Sequence, residues 1–126
     1  MTKDDFRAYV AAFNANDYAG FGRFYADDVV FELGAAKRIE GRENILAFYR
    51  EVADHIREHV DVREVLTGAR NVAMYCRTTF ECHRDWPEFV TRPVVAGETW
   101  EVETIAMYWL NDDNRFAHIR GARFKP

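Results

Sequence analysis

The sequence predicts an α+β domain, with helices in the first part of the chain and antiparallel strands in the second. Apolar residues recur at helical spacing up to about residue 56, and the period changes to two from His59 onward. This order predicts helices that pack on one face of a curved sheet. A chain of 126 residues has the size of one domain, which we expect to span 1–126.

Capping residues and apolar spacing predict two short helices near the N-terminus. Residues 2–5 have the form of a capping box, and Asp17 is placed to cap the second helix. We expect Phe24 and Tyr25 to lie on the apolar side of that second helix, which ends at the acidic pair 27–28. The apolar face of the first helix consists of Phe6, Tyr9, Val10 and Phe13.

A strand, a shorter strand and a third helix follow. The segment 29–33 is β-branched and aromatic, and Gly34 and Gly41 bracket a short strand near 37–39. The third helix begins after Gly41 and is expected to run for about four turns. Its apolar face consists of Ile45, Phe48, Tyr49, Val52 and Ile56.

Four longer strands are predicted near 59–67, 71–84, 98–110 and 115–124, with 111–114 as the turn of the last hairpin. Alternate side chains of a strand share one face of the sheet. The predicted inner faces of the second and third of these strands consist of Met74, Cys76, Thr78, Phe80, Cys82, Trp100, Val102, Thr104, Ala106, Tyr108 and Leu110.

The outer face of strand 98–110 carries an apolar strip of Ile105, Met107 and Trp109. Helices can cover only one side of the sheet, so this strip needs another partner, and a second copy of the chain is the simplest one. We therefore predict a homodimer through the outer face of the sheet.

The segment 85–97 is too long for a tight turn and contains two prolines. Trp86 and Phe89 would suit a flap that closes over an apolar ligand, or they would pin the loop to the body of the domain.

The composition argues against nucleic-acid and membrane partners. The net charge is −4 and no basic run could follow a phosphate backbone, so we expect no nucleic-acid partner. No segment approaches the ~20 apolar residues of a membrane span, and the N-terminus lacks a signal core, so we expect a cytoplasmic protein without a membrane partner. Cys76 and Cys82 would lie roughly 20 Å apart along one strand, which predicts two free, buried thiols.

The order of elements and several short motifs resemble the family of ketosteroid isomerases, SnoaL-like polyketide cyclases and nuclear transport factor two. The best-matching segments are 9–17 and 25–29, together with Gly41 and the apolar positions of the third helix. The resemblance implies a cone-shaped half-barrel around an apolar pocket that holds a steroid, terpenoid or polyketide. It also implies catalysis without a metal or organic cofactor, and in many members a homodimer.

The resemblance assigns one catalytic position and leaves two without a titratable group. Tyr9 matches the tyrosine with which ketosteroid isomerases stabilise an enolate oxygen. Leu33 stands where the base is expected, and Ala106 where the second donor is expected. The mechanism of those isomerases is therefore not predicted for this chain.

Other side chains are candidates for proton transfer. His55 lies near the pocket end of the third helix, and histidine is a residue type that can act as general base or acid near neutral pH. Positions 52 and 56 are the cleaner inward positions, which favours the alternative of a surface histidine on the flank of the helix. Glu101 or Glu103 would turn inward only through a β-bulge, and otherwise they pair with Arg77 and Arg120 on the outer face.

The leading hypothesis is a cofactor-independent isomerase, cyclase, dehydratase or epoxide hydrolase for an apolar cyclic substrate. Tyr9 and Tyr108 would polarise an oxygen, and His55 or an inward glutamate would move the proton. Arg123 could meet an anionic substrate group or extend to water. A carrier of an apolar small molecule is the alternative, and a protein–protein adaptor is a third possibility. The expected substrate-binding residues are Phe13, Phe24, Phe31, Leu33, Phe48, Val52, Cys76, Thr78, Trp100, Thr104, Ala106 and Arg123.

Overall fold

A computed structural model describes residues 1–35 and 37–124. Three helices pack on one six-stranded, mostly antiparallel sheet, which confirms the predicted α+β class. The elements are α1 (Lys3–Asn14), α2 (Tyr18–Gly22), β1 (Tyr25–Leu33), β2 (Lys37–Glu40), α3 (Arg42–Ala53), β3 (Ile56–Thr67), β4 (Asn71–Cys82), β5 (Thr99–Leu110) and β6 (Phe116–Arg123).

Local capping chemistry starts the first two helices as predicted. The Thr2 hydroxyl accepts from the Asp5 amide at 3.0 Å while the Asp5 carboxylate accepts from the Thr2 amide at 3.0 Å. Asp17 accepts from the Gly20 amide at 3.0 Å and begins α2. The third helix starts at Gly41, whose φ of 90° favours glycine.

Two element boundaries differ from the prediction. Tyr25 belongs to β1 and not to α2, because it pairs with Phe116 of β6. Helix α3 ends at Ala53, and Ile56 is the first residue of β3, where it pairs with Cys82. Apolar residues at a helix end and at the start of a buried strand look alike in the sequence, so the period alone misplaced both boundaries.

The strand order is β2-β1-β6-β5-β4-β3, and β1 and β6 form the one parallel pair among the described strands. The β3–β4 ladder shifts register between Val62 and Glu64, which indicates a bulge in β3. The β4–β5 ladder runs from Asn71 to Glu81 without a shift, so the bulge considered for β5 does not occur.

The inner face of the sheet carries the core, and its side-chain parity agrees with the prediction for β4 and β5. Phe6 and Phe116 are fully buried in an aromatic cluster in which the Tyr9 and Phe116 ring centroids lie 4.9 Å apart. Burying several aromatic side chains together supplies much of the apolar area that stabilises a domain of this size. Within the two described ranges, no helix is both long and apolar enough to cross a membrane.

Candidate functional site

A cavity of about 110 Å³ lies between α1, α3 and the inner face of the sheet. This volume holds more than one water molecule, so the interior is not filled by its own side chains. Twelve of the residues predicted from the sequence line it: Tyr9, Phe13, Phe31, Leu33, Phe48, Val52, Cys76, Thr78, Thr104, Ala106, Tyr108 and Arg123.

Three predicted site residues lie elsewhere. The His55 ring stacks on Trp86 at 4.4 Å, with its Nδ1 3.0 Å from the Glu51 carbonyl oxygen, so it does not line the cavity. Phe24 is buried in the aromatic core. Trp100 lies behind the lining, where it stacks on Phe80 at 5.1 Å.

Glu58 is a carboxylate on the cavity lining, and the sequence analysis missed it. It lies in β3, in register with Phe80 of β4, and it shares the inner face with Val60. The predicted strand began at His59, which left Glu58 outside the alternation. Extending the period-two pattern back from Val62 through Val60 would have placed Glu58 inward.

The surroundings of Glu58 favour its neutral form. Burial raises the pKa of this carboxyl from 4.5 to about 7, and the positive charge of Arg123 opposes that rise. A carboxyl with a pKa near neutrality is populated in both protonation states at physiological pH, which suits a general base or acid.

Three phenols lie close together at the α1 side of the cavity. The Tyr9 and Tyr25 hydroxyl oxygens are 2.8 Å apart, and both Tyr9 and Tyr108 line the cavity. Burial raises the pKa of all three phenols, and the hydrogen bond with Tyr25 partly lowers that of Tyr9. Either hydroxyl of this pair can act as the donor, and when Tyr25 donates to the Tyr9 oxygen, the Tyr9 proton is available to a ligand.

Arg123 is the guanidinium on the lining. Its central carbon lies 5.6 Å from the centroid of the Phe80 ring. Its Nε is buried and has no hydrogen-bond partner among the described residues. The side chain therefore faces the interior. Of the two alternatives for Arg123, this position is compatible with contact with an anionic substrate group.

The loop between β4 and β5 forms part of the cavity wall. Trp86 is buried and is held by two backbone hydrogen bonds to Val94, at 2.8 and 3.1 Å. Phe89 stacks on Trp86 at 4.6 Å and lines the cavity together with Val90 and Thr91. Trp86 therefore pins the loop to the body of the domain, while Phe89 covers the cavity.

The carboxylates of β5 lie on the outer face. Glu103 accepts from the Tyr75 hydroxyl at 2.6 Å and from Arg77 at 3.2 Å, and the Arg77–Glu101 ion pair spans 3.8 Å. The pairing of both carboxylates with Arg77 agrees with the sequence analysis, whereas Arg120 pairs instead with Glu32, at 3.5 Å.

The cysteines are both free and buried, as predicted. Burial raises the pKa of the Cys76 thiol, so it lines the cavity in its neutral form. Across residues 1–35 and 37–124, no group of three His, Cys, Asp or Glu side chains is arranged to hold a metal ion.

The sequence profile of the SnoaL-like domain family matches residues 6–119. The chain belongs to this family. No curated protein matches the sequence significantly. The membership agrees with the resemblance seen in the sequence motifs.

Solved structures share the fold of this SnoaL-like protein at low sequence identity. A candidate polyketide cyclase from Pseudomonas putida KT2440 is 23% identical with a TM-score of 0.84, covering 97% of this chain and 91% of that one. Another from Xanthomonas campestris is 22% identical with a TM-score of 0.81, covering 94% and 86%. An epoxide hydrolase from M. tuberculosis is 13% identical with a TM-score of 0.76, covering 95% and 80%.

Proposed function

We propose that this protein is an enzyme that moves a proton on a small, largely apolar substrate bound in the cavity. The reaction class is isomerisation or cyclisation next to a carbonyl group, and water-assisted epoxide opening uses the same groups. The observation that carries the proposal is Glu58, a carboxylate on an apolar lining whose pKa burial raises to about 7.

The proposed mechanism uses two kinds of side chain on the lining. Glu58 in its ionised form takes a proton from the substrate carbon, or from a water molecule, and returns it later. Tyr9 donates to the substrate oxygen on which negative charge develops, while Tyr25 donates to Tyr9 at 2.8 Å. The apolar walls exclude water and so strengthen both interactions.

The similar structures support the reaction class without identifying a substrate. Two of them are named as candidate polyketide cyclases and one as an epoxide hydrolase. Cyclases and epoxide hydrolases both need a positioned acid or base and a donor to an oxygen atom. One fold carries many activities, so the assignment to this chain rests on Glu58 and Tyr9.

The proposal is tested with nitrobenzisoxazole, an apolar probe of carboxylate bases. A base removes the ring C–H proton, the N–O bond breaks, and a coloured cyano-nitrophenolate is released. We expect the wild-type rate to increase with pH through about 7, the pKa of Glu58. Glu58→Gln should lower the rate by about 100-fold or more. The matched control is Glu64→Gln, because Glu64 lies in the same strand and is exposed.

The same experiment separates the enzyme from a carrier, the second candidate. The many apolar side chains on the lining favour a carrier of an apolar molecule. Wild-type protein that binds the probe without turning it over would support the carrier. A rate that is equal in wild type and Glu58→Gln would contradict the proposed base.

We also propose that two copies associate through the outer face of the sheet. Ile105 and Trp109 are 46% and 37% exposed on β5, with Met107 between them. An apolar strip on a central strand is covered most simply by the same strip of a second copy, since a two-fold axis matches each surface to itself.

A further inference from the structure

The proton-transfer proposal leaves one charged side chain of the cavity without a role. Arg123 lines the cavity from β6, and its Nε is buried without a hydrogen-bond partner in the described part of the chain. A buried donor without an acceptor is unfavourable, so an unpaired nitrogen in a guanidinium group that lines a cavity indicates that a ligand supplies an acceptor to that group.

Two other arginines of the sheet pair with carboxylates. Arg77 pairs with Glu103 at 3.2 Å, and Arg120 pairs with Glu32 at 3.5 Å. Arg123 instead packs its guanidinium over the Phe80 ring, which is itself stacked on Trp100. The Phe80 ring therefore supports the guanidinium through a cation–π contact.

We propose that Arg123 binds an anionic group of the substrate, of the carboxylate or phenolate kind, while the apolar body of the substrate lies against the neighbouring lining. The substrate is therefore an amphipathic organic acid. This inference rests on the proposed function, because it takes the cavity to be the substrate site. It names a group on the substrate that is separate from the oxygen contacted by Tyr9.

Binding of an anion at Arg123 should be coupled to the protonation of Glu58. Arg123 stabilises the ionised form of Glu58, and an anion bound to Arg123 cancels that effect. Burial keeps the neighbouring phenols and the Cys76 thiol neutral, so Glu58 is the group that titrates near pH 7. Among the described residues, the ionisable or charged side chains that line the cavity together with Glu58 are Tyr9 of α1, Tyr49 of α3, Cys76 of β4, Tyr108 of β5 and Arg123 of β6.

The test compares naphthoate with naphthamide, which has nearly the same shape and no charge, by calorimetric titration of the full chain. We expect wild type to bind naphthoate about tenfold or more tightly than naphthamide. Arg123→Gln should abolish that preference and should still bind naphthamide, which also shows that the cavity is intact. Arg120→Gln, with the same change of charge on the outer face of the same strand, should keep the preference.

The pH dependence adds a second readout. Naphthoate is ionised throughout the range from about pH 6 to about pH 9. Its Kd should increase several-fold as Glu58 loses its proton in that range, and Glu58→Gln should remove the increase. The Kd of naphthamide should stay constant.

The outcomes separate this inference from the proposed function. Equal wild-type affinities for the two probes, or a naphthoate preference that survives Arg123→Gln, would overturn the role of Arg123 and leave the proton-transfer proposal standing. Failure of both probes to bind would overturn the cavity as a substrate site, and both proposals with it.

Discussion

Glutamate and arginine side chains have opposite surroundings on the two faces of the sheet. On the outer face, Glu103 is held by Tyr75 and Arg77, which lower the pKa of its carboxyl. On the inner face, burial raises the pKa of Glu58 to about 7, and Arg123 has a buried nitrogen without a partner. Paired charges on the outer face contribute to a solvated surface, whereas the unpaired groups of the inner face are available to a ligand.

The contrast follows from solvent and geometry more than from residue type. An exposed carboxylate is stabilised by water and by flexible partners, so its charge costs little. A carboxylate on an apolar wall loses its water, and the neutral form becomes competitive. Functional groups of this fold are therefore found by asking which polar side chains face inward and lack a strong partner.

The largest effect should come from the aromatic core behind the cavity. Phe116 is fully buried on the inner side, and its ring centroid lies 4.8 Å from that of Tyr108. Phe116→Ala should lower the free energy of unfolding by about 3–5 kcal/mol, measured by urea unfolding. Phe124→Ala, at a position that is 61% exposed, should change it by less than about 0.5 kcal/mol. Similar losses in the two variants would contradict the assignment of inner and outer faces.

The next effect is a pH dependence of stability that has opposite signs on the two faces. The pKa of Glu58 is raised in the folded protein. Between pH 4.5 and about 7, the folded protein therefore keeps a proton on Glu58 that the unfolded chain has already released. The free energy of unfolding of the wild type should therefore fall by on the order of 3 kcal/mol, relative to that of Glu58→Gln, as the pH rises through this range. Urea unfolding of both proteins at about pH 5 and about pH 8 measures the difference.

Glu103 is the matched control on the outer face. Its lowered pKa means that its stabilisation is present above the pKa of the unfolded chain and is lost as the pH falls. Glu103→Gln should therefore be less stable than wild type at neutral pH and approach it in acid. The same sign of pH dependence for both glutamates would contradict the contrast between the faces.

The outer face also carries the proposed dimer contact. Trp109→Glu should convert a dimer to a monomer at micromolar concentration, because it places a charge within the apolar strip. Light scattering after gel filtration measures the mass. Val95→Glu, at an exposed position in the loop between β4 and β5, should leave the dimer intact. A wild-type monomer would refute the proposal.

The smallest effect is expected at His55. Because its ring stacks on Trp86 and does not line the cavity, His55→Ala should change the rate with nitrobenzisoxazole by less than about threefold. A decrease in rate as large as that of Glu58→Gln would indicate that His55 is catalytic and would contradict the site described above.

Much of this architecture could be predicted from the sequence, because periodicity reports which face is buried. The alternation in β4 and β5 placed Thr78, Thr104 and Tyr108 inward, and all three line the cavity. Periodicity does not mark where an apolar helix face ends and an apolar strand begins. Because α3 was expected to continue to Ile56, Glu58 was not assigned to a strand and His55 was wrongly placed near the pocket.

Tertiary packing decided the other differences. Phe24 is apolar but packs into the core, and Trp100 stacks on Phe80 without lining the cavity itself. A bulge occurs in β3, and the β4–β5 ladder has no register shift that would turn Glu101 or Glu103 inward. A single sequence does not clearly indicate which aromatic rings stack or which strand contains a bulge.

The most direct test of the account is an NMR titration of the Glu58 side-chain carboxyl, assigned by comparison with Glu58→Gln. We expect a midpoint of about 7, well above the ordinary 4.5, that rises further when naphthoate is bound. A midpoint near 4.5 would show that Glu58 is solvated or paired, and would contradict the claim that this carboxyl is the base of an apolar site.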